Sequence, residues 1–204
     1  MPLPQACVRV DDFRFSDVVL ERKDVVWHMH WGGKSTPPVM DMCGIFLGVS
    51  LEAKGSRDNQ PITWLMIDKD TGFAPPTPWQ RMPGPATVVR MDYGPLTAHD
   101  FEYIHDYMSH LLDVFGSGRK PKPTVASFQE FCRAREDDRQ PPHNLLMPRV
   151  RVHGLTSPAG LALNGTEGYR SLMPLDTGRY AFFVDGTTAF EAKNVKPEHL
   201  TVLA

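Results

Sequence analysis

The chain has 204 residues and a formal net charge of −2 at pH 7. This near-neutral charge gives no overall positive field, so nucleic acid is not an expected partner. No apolar run approaches the roughly 20 residues that a membrane-spanning helix needs, and the N-terminus has no basic start followed by an apolar run. The sequence therefore predicts a soluble protein of the cytoplasm or nucleus that has no membrane partner.

Three cysteines, Cys7, Cys43 and Cys132, lie far apart and form no closely spaced pair. Alone they can build neither a disulfide framework nor a zinc finger. We expect each to be a reduced, partly buried, small apolar residue, which suits a reducing intracellular compartment.

Short apolar runs between polar turns predict an N-terminal α+β domain over residues 1–140, with a mixed or antiparallel sheet. A charged turn at residues 21–24 joins the first two runs into a hairpin. The proline-rich tract at residues 71–85 is incompatible with helix or central strand and is predicted to be an ordered surface loop. The predicted strands cover residues 18–20, 25–31, 43–51, 61–69 and 87–91.

A long helix is predicted over residues 97–115. Thr97 is a favourable N-cap, and Asp100 stands where the acid of a capping box belongs. Gly116 is placed to be the C-terminal glycine. The apolar stripe at helical spacing consists of Phe101, Ile104, Met108, Leu111, Leu112 and Phe115.

A second, shorter helix is predicted from Ser127 to Arg135, with Ser127 and Glu130 as its capping pair. Phe128, Phe131 and Cys132 would face inward. The charged segment at residues 135–142 ends in two prolines and is the predicted boundary between two domains.

Residues 141–204 are predicted to form a small β-barrel. Short strands of alternating polarity are separated by turn sequences at Asn164-Gly165, Asp176-Thr177-Gly178 and Asp185-Gly186. Such a run of turns is typical of successive hairpins.

The module contains a series of short motifs, made by Val150, Val152, Gly154-Leu155, Leu163-Asn164-Gly165, Gly168, Gly178-Arg179-Tyr180, Val184, Lys193, Val195, Pro197-Glu198 and Leu200. These residues resemble those of SH3-like barrels found in multi-domain proteins of unicellular algae, some of which also carry MYND zinc fingers or ankyrin repeats. The resemblance covers roughly the last quarter of the chain and implies an SH3-like fold. With three scattered cysteines no MYND finger can form, so the zinc-mediated binding of those proteins does not transfer.

His28 and His30 are candidate metal ligands because alternate residues of a strand point the same way. Two imidazoles so placed could share a divalent ion such as zinc, with a third ligand from His99, His105 or Asp106. The alternative is that both histidines lie on the wetter face of a sheet or form hydrogen bonds in the core. The expectation is a protein without a cofactor, and zinc is the alternative.

Aromatic side chains provide the candidate binding surfaces. In the barrel these are Tyr169, Tyr180 and Phe182, and in the proline-rich loop they are Phe73 and Trp79. No catalytic motif is found, so no catalytic residue is assigned. The sequence favours a non-enzymatic scaffold that docks a protein partner through the barrel and the proline-rich loop. The alternative is a metal-binding protein or metal-dependent enzyme that uses His28 and His30.

Overall fold

A computed structural model describes residues 4–20, 30–31, 34–35, 39–51, 57–65, 82–135, 142–187 and 191–203. The fold is α+β, as predicted, with 29% of residues in helix and 33% in strand. The chain divides into an N-terminal unit, residues 1–42 and 46–122, and a C-terminal unit, residues 43–45 and 123–204. No helix within the described ranges has the length and apolar character needed to cross a membrane.

Seven strands belong wholly or mainly to the N-terminal unit: β1 Gln5–Asp11, β2 Arg14–Leu20, β3 His30–Trp31, β4 Lys34–Ser35, β5 Val39–Met42, β6 Ile45–Leu51 and β7 Ala86–Arg90. Five of them form one sheet in the order β2-β1-β7-β6-β5, and β3 pairs with β4. The pairs β1–β2, β1–β7 and β6–β7 are antiparallel.

The predicted strands at 43–51 and 87–91 are confirmed as β6 and β7, and the run 18–20 forms the end of β2. Most of the predicted strand 25–31 lies outside the described residues. Sequence analysis missed β1, although its alternate residues Val8 and Val10 are fully buried. Its charged residues Arg9 and Asp11 interrupt the apolar pattern, so the strand is not recognised from the sequence.

The predicted strand at residues 61–69 is wrong, because the chain forms helix α1, Gln60–Leu65, there. Asn59 begins this helix by accepting a hydrogen bond from the Ile62 amide at 3.3 Å. Ile62 and Leu65, three residues apart, bury themselves on one helical face. A short apolar run is compatible with both a helix and a strand. Here the Asn59 cap favours the helix.

Helix α2, Ala98–Gly116, confirms the predicted long helix and its capping box between Thr97 and Asp100. The Ala98 amide also donates to the Asp17 carboxylate at 2.6 Å, which ties the start of the helix to β2. The stripe is buried at Phe101, Ile104, Met108 and Leu111 but not at Leu112 or Phe115, while Tyr103 and Tyr107 are buried instead.

The C-terminal unit contains β8 Arg149–Val152, β9 Glu167–Arg170, β10 Tyr180–Val184, β11 Lys193–Val195 and β12 Leu200–Val202, with helices α3 Val125–Ala134 and α4 Pro158–Leu161. A 3-10 turn, Pro197–His199, precedes β12. The strand order is β11-β10-β9-β8-β12, with every neighbouring pair antiparallel. The last strand thus returns to pair with the first, and the sheet forms a half-barrel.

The core of the half-barrel is made by Val150, Val152, Phe182 and Val195, with Leu155, Leu163, Val184 and Leu200 packed against it. These residues come from β8, β10, β11 and β12 and from the segment that follows β8. Close packing of this kind fixes the loop after β8, because two of its leucines are anchored in the core.

The second predicted helix exists as α3, but its N-cap is Thr124 rather than Ser127, which occupies the third helical position of the capping box. The fully buried Gln129 side chain donates to the Leu145 carbonyl at 2.9 Å and accepts from the Met147 amide at 2.8 Å. These bonds join α3 to the segment that follows it, and both belong to the C-terminal unit, whose longer segment starts at Pro123. The domain boundary at residue 141 stays a prediction.

The short segment Cys43–Ile45 also belongs to the C-terminal unit. Gly44 has φ +94°, and a Cβ atom there would lie 3.1 Å from Met147 Cε and Val125 Cγ2 and 3.2 Å from Phe183 Cζ. Only glycine therefore fits both the backbone conformation and the space. Cys7, Cys43 and Cys132 are all buried, and burial raises the pKa of the Cys7 thiol.

Candidate binding cleft

The C-terminal unit contains a cleft of about 460 Å³. One wall is the loop that follows β8, residues 154–163, and the other is β11 with the 3-10 turn. The residue before β10, Arg179, also contributes. All three parts come from the half-barrel, so the site belongs to one unit.

The loop wall is held in place by hydrogen bonds of its own. The Asn164 side chain accepts from the Leu155 amide at 3.0 Å and donates to the Leu155 carbonyl at 2.9 Å. Gly160 is buried, and a Cβ there would lie only 2.8 Å from Leu155 Cβ and 2.9 Å from Ser157 Oγ. The loop can therefore take this shape only with glycine at position 160.

The floor of the cleft is apolar. Leu155 and Leu163 are partly buried against the core of the half-barrel, and Val195 is buried within it. An apolar side chain of a ligand that entered the cleft would meet these residues.

The rim of the cleft is positively charged. Arg179, Lys193 and Lys196 are exposed, and His199 is half-buried. Arg179 donates one hydrogen bond to the Asn194 carbonyl at 3.3 Å, which holds its guanidinium beside β11. Among the described residues that line the cleft, no side chain carries a carboxylate.

A carboxylate outside the lining, that of Glu198, contacts the rim, because its Oε1 lies 3.4 Å from Lys196 Nζ. A hydrogen bond from the Glu198 backbone amide lowers the pKa of this carboxyl, and Lys196 and His199 lower it further. Both partners are more than half exposed, so their pairing is weak.

The aromatic residues predicted to bind a partner do not line the cleft. Phe182 is fully buried in the core, and Tyr169 is only 2% exposed. The Tyr169 hydroxyl accepts from Arg133 at 3.0 Å and from Arg149 at 3.5 Å. Tyr180 is half-buried beneath the Arg170 guanidinium, 4.2 Å from its ring centre. The first two rings therefore stabilise the unit and present no surface to a partner.

The other predicted contact residues, Phe73 and Trp79, lie outside the described residues, and so does His28. His30 is in β3, but its side chain is not described. The proposed third ligands are engaged elsewhere: the His99 ring lies edge-on to Tyr103, and His105 Nδ1 contacts the Asp106 carboxylate at 3.3 Å. Within the described ranges, no group of three or more potential ligands could hold a metal ion. Metal binding by His28 and His30 stays a prediction.

Four basic or titratable residues of the cleft were missed by sequence analysis: Arg179, Lys193, Lys196 and His199. Of these, only Arg179 and Lys193 belong to the residues that match the barrel motif. The available signal was the run Lys193 to His199, in which two lysines and a histidine share one short segment. What the sequence does not reveal is that the loop after β8 lies opposite this run and that Arg179 lies beside it.

Comparisons with known proteins give no relative: no protein-family model, curated protein or solved structure matches the chain. The function of the protein is therefore inferred from its own residues. Among these residues, those that line the cleft combine apolar and positively charged side chains.

Proposed function

We propose that the protein is a non-enzymatic interaction protein that docks a protein partner through the cleft of its C-terminal unit. The supporting observation is the cleft itself, which combines an apolar floor with a charged, exposed rim. Concave sites with an apolar lining and a few polar groups are typical binding sites. The proline-rich loop at residues 71–85 would provide a second contact.

We further propose that the C-terminal unit is an SH3-like barrel. Two observations support this assignment: the motif resemblance of residues 150–200, and the five short antiparallel strands whose last member pairs with the first. Small barrels of this kind bind extended peptides between their loops. The cleft lies between the loop that follows β8 and the wall formed by β11 with the 3-10 turn.

A peptide-selection experiment tests the docking proposal. The full chain is immobilised and a random peptide library is selected against it, in parallel with the variants Ala159→Trp and Ala162→Trp. Ala159 is exposed and lines the cleft, whereas Ala162 is exposed but does not line it. The bulky side chain at position 159 would fill the cleft, so the two variants form a matched pair.

We expect peptides to be enriched on the native chain and on Ala162→Trp, but not on Ala159→Trp. If no peptide is enriched on the native chain, or if enrichment survives in Ala159→Trp, docking through this cleft is wrong. Circular dichroism of all three proteins provides the control for folding.

A further inference from the structure

We propose that the ligand of this cleft is an extended acidic peptide that carries apolar side chains between its carboxylates. The inference rests on the proposed function, because it names the chemistry of the partner for the same site. It follows from the charges of the rim, their availability and the composition of the floor.

The first observation is that the lining of the cleft is positively charged. Arg179, Lys193 and Lys196 give the lining of the cleft three positive charges. At physiological salt, charges act over about 8 Å, so a ligand within the cleft is exposed to them while the weakly negative chain as a whole is screened. Complementarity therefore selects a negatively charged ligand.

These cations are also available to pair with a ligand. The Lys193 side chain is exposed to solvent. Arg179 uses one donor for the Asn194 carbonyl, and a guanidinium has about five. Lys196 pairs with Glu198, but both groups are exposed and the pair can reorganise at little cost.

Other basic residues of this unit do not offer the same opportunity. Arg149 contacts Asp185 at 2.8 Å and Glu167 at 3.3 Å, and Arg151 also pairs with Glu167. These two arginines are neutralised within the sheet. The described lining of the cleft, in contrast, carries no carboxylate, so charge complementarity there favours a negatively charged partner.

The composition of the lining distinguishes a peptide from other acidic ligands. The floor formed by Leu155, Leu163 and Val195 accepts apolar side chains, which a peptide has and a phosphate lacks. Nucleic-acid strands bind by stacking bases on aromatic rings, and the described lining contains no Phe, Tyr or Trp. Proline-rich peptides also favour grooves lined by aromatic residues. An acidic peptide with apolar residues fits both the rim and the floor.

Fluorescence anisotropy with the full chain tests this inference. The probe is a labelled dodecapeptide in which leucines alternate with glutamates. Comparison probes are the same peptide with glutamine for glutamate, a proline-rich peptide without acidic residues, and a single-stranded oligonucleotide. We expect the acidic peptide to bind most tightly and its affinity to fall when salt is raised from about 50 mM to about 500 mM.

Charge variants locate the binding site. Lys193→Gln with Lys196→Gln removes two exposed cations from the rim, and we expect roughly tenfold weaker binding of the acidic peptide. The matched control is Arg119→Gln with Lys120→Gln, which removes the same charge from exposed positions of the N-terminal unit. This control should change the affinity by less than about twofold.

Equal loss of affinity in both double variants, or equal binding of the glutamine peptide, would overturn the acidic-peptide assignment. Oligonucleotide binding that depends on Lys193 and Lys196, without peptide binding, would replace it by nucleic acid. If the library yields non-acidic peptides that Ala159→Trp blocks, docking stands and only the acidic assignment is wrong. If no probe binds and the library yields nothing, both proposals fail.

Discussion

At the scale of single residues, Gly160 is the position on which the shape of the cleft depends. A Cβ there would come within 2.8 Å of Leu155 Cβ, so Gly160→Ala must displace the loop that forms one wall. We expect this variant to lose about 1–3 kcal/mol of unfolding free energy and to weaken peptide binding. Urea denaturation and anisotropy measure the two effects.

The matched control is Gly116→Ala at the end of α2, where a Cβ would meet nothing within 4 Å. Alanine is the better helix former, so this variant should be unchanged or stabilised by up to about 1 kcal/mol. If Gly160→Ala behaved like Gly116→Ala, the loop would not depend on the glycine.

His105 is the second residue with a measurable role. Its ring stacks on Trp64 at 5.2 Å between centroids and meets Phe13 edge-on at 5.6 Å. Its Nε2 is buried without a hydrogen-bond partner among the described residues.

We therefore expect His105→Phe to retain the ring contacts, remove an unsatisfied polar atom, and leave the unfolding free energy equal or up to about 1 kcal/mol higher. His105→Ala, which loses the contacts, should be less stable by about 1–3 kcal/mol. Urea denaturation of the two variants decides: a destabilised His105→Phe would show that the Asp106 contact outweighs the buried nitrogen.

At the scale of elements, local signals predicted structure best. Helix α2 was predicted because Thr97, Asp100 and the 3.6-residue stripe all lie within one segment. The run beginning at Pro61 was assigned to a strand, since its apolar pattern is ambiguous and the Asn59 cap depends on tertiary bonds. Asn59 donates to the carbonyls of Val10 at 3.0 Å and Gly84 at 2.9 Å, both distant in sequence.

We predict that the ion pairs between β8 and β9 make the unfolding free energy depend on pH. Hydrogen bonds from Arg151 and then Arg149 lower the pKa of Glu167. A carboxyl whose pKa is lower in the folded state stabilises the fold above its unfolded pKa, and that contribution is lost as pH falls through the folded pKa. Native protein should therefore be more stable than Glu167→Gln at pH 7, and the difference should shrink below about pH 4.

Unfolding free energies of both proteins across this pH range provide the measurement. Arg170→Gln is the control, because Arg170 lies over the Tyr180 ring and its loss should change stability equally at all these values. A pH-independent difference between native protein and Glu167→Gln would show that the ion pairs contribute nothing.

At the scale of the whole molecule, the division of the chain was the least predictable feature. The proline-ended segment at 135–142 indicated a boundary there, yet α3 and the residues Cys43–Ile45 group with the half-barrel. The cleft, too, is formed by segments that are distant in sequence. Its walls come from two separate segments, residues 154–163 and 193–199, so alternation along each strand could not show which side chains meet.

The two divisions predict different behaviour of fragments. A fragment of residues 141–204 lacks Gln129, so the Leu145 carbonyl and Met147 amide lose their partner, and Tyr169 loses the hydrogen bond from Arg133. Each buried polar group left unpaired costs about 1–3 kcal/mol, which is a large part of the stability of a small domain. A fragment of residues 123–204 keeps these bonds and should show a cooperative urea transition, whereas residues 141–204 should unfold at lower urea or lack a transition. Equal midpoints would mean that α3 is dispensable and that the barrel begins near residue 141, as the sequence alone predicted.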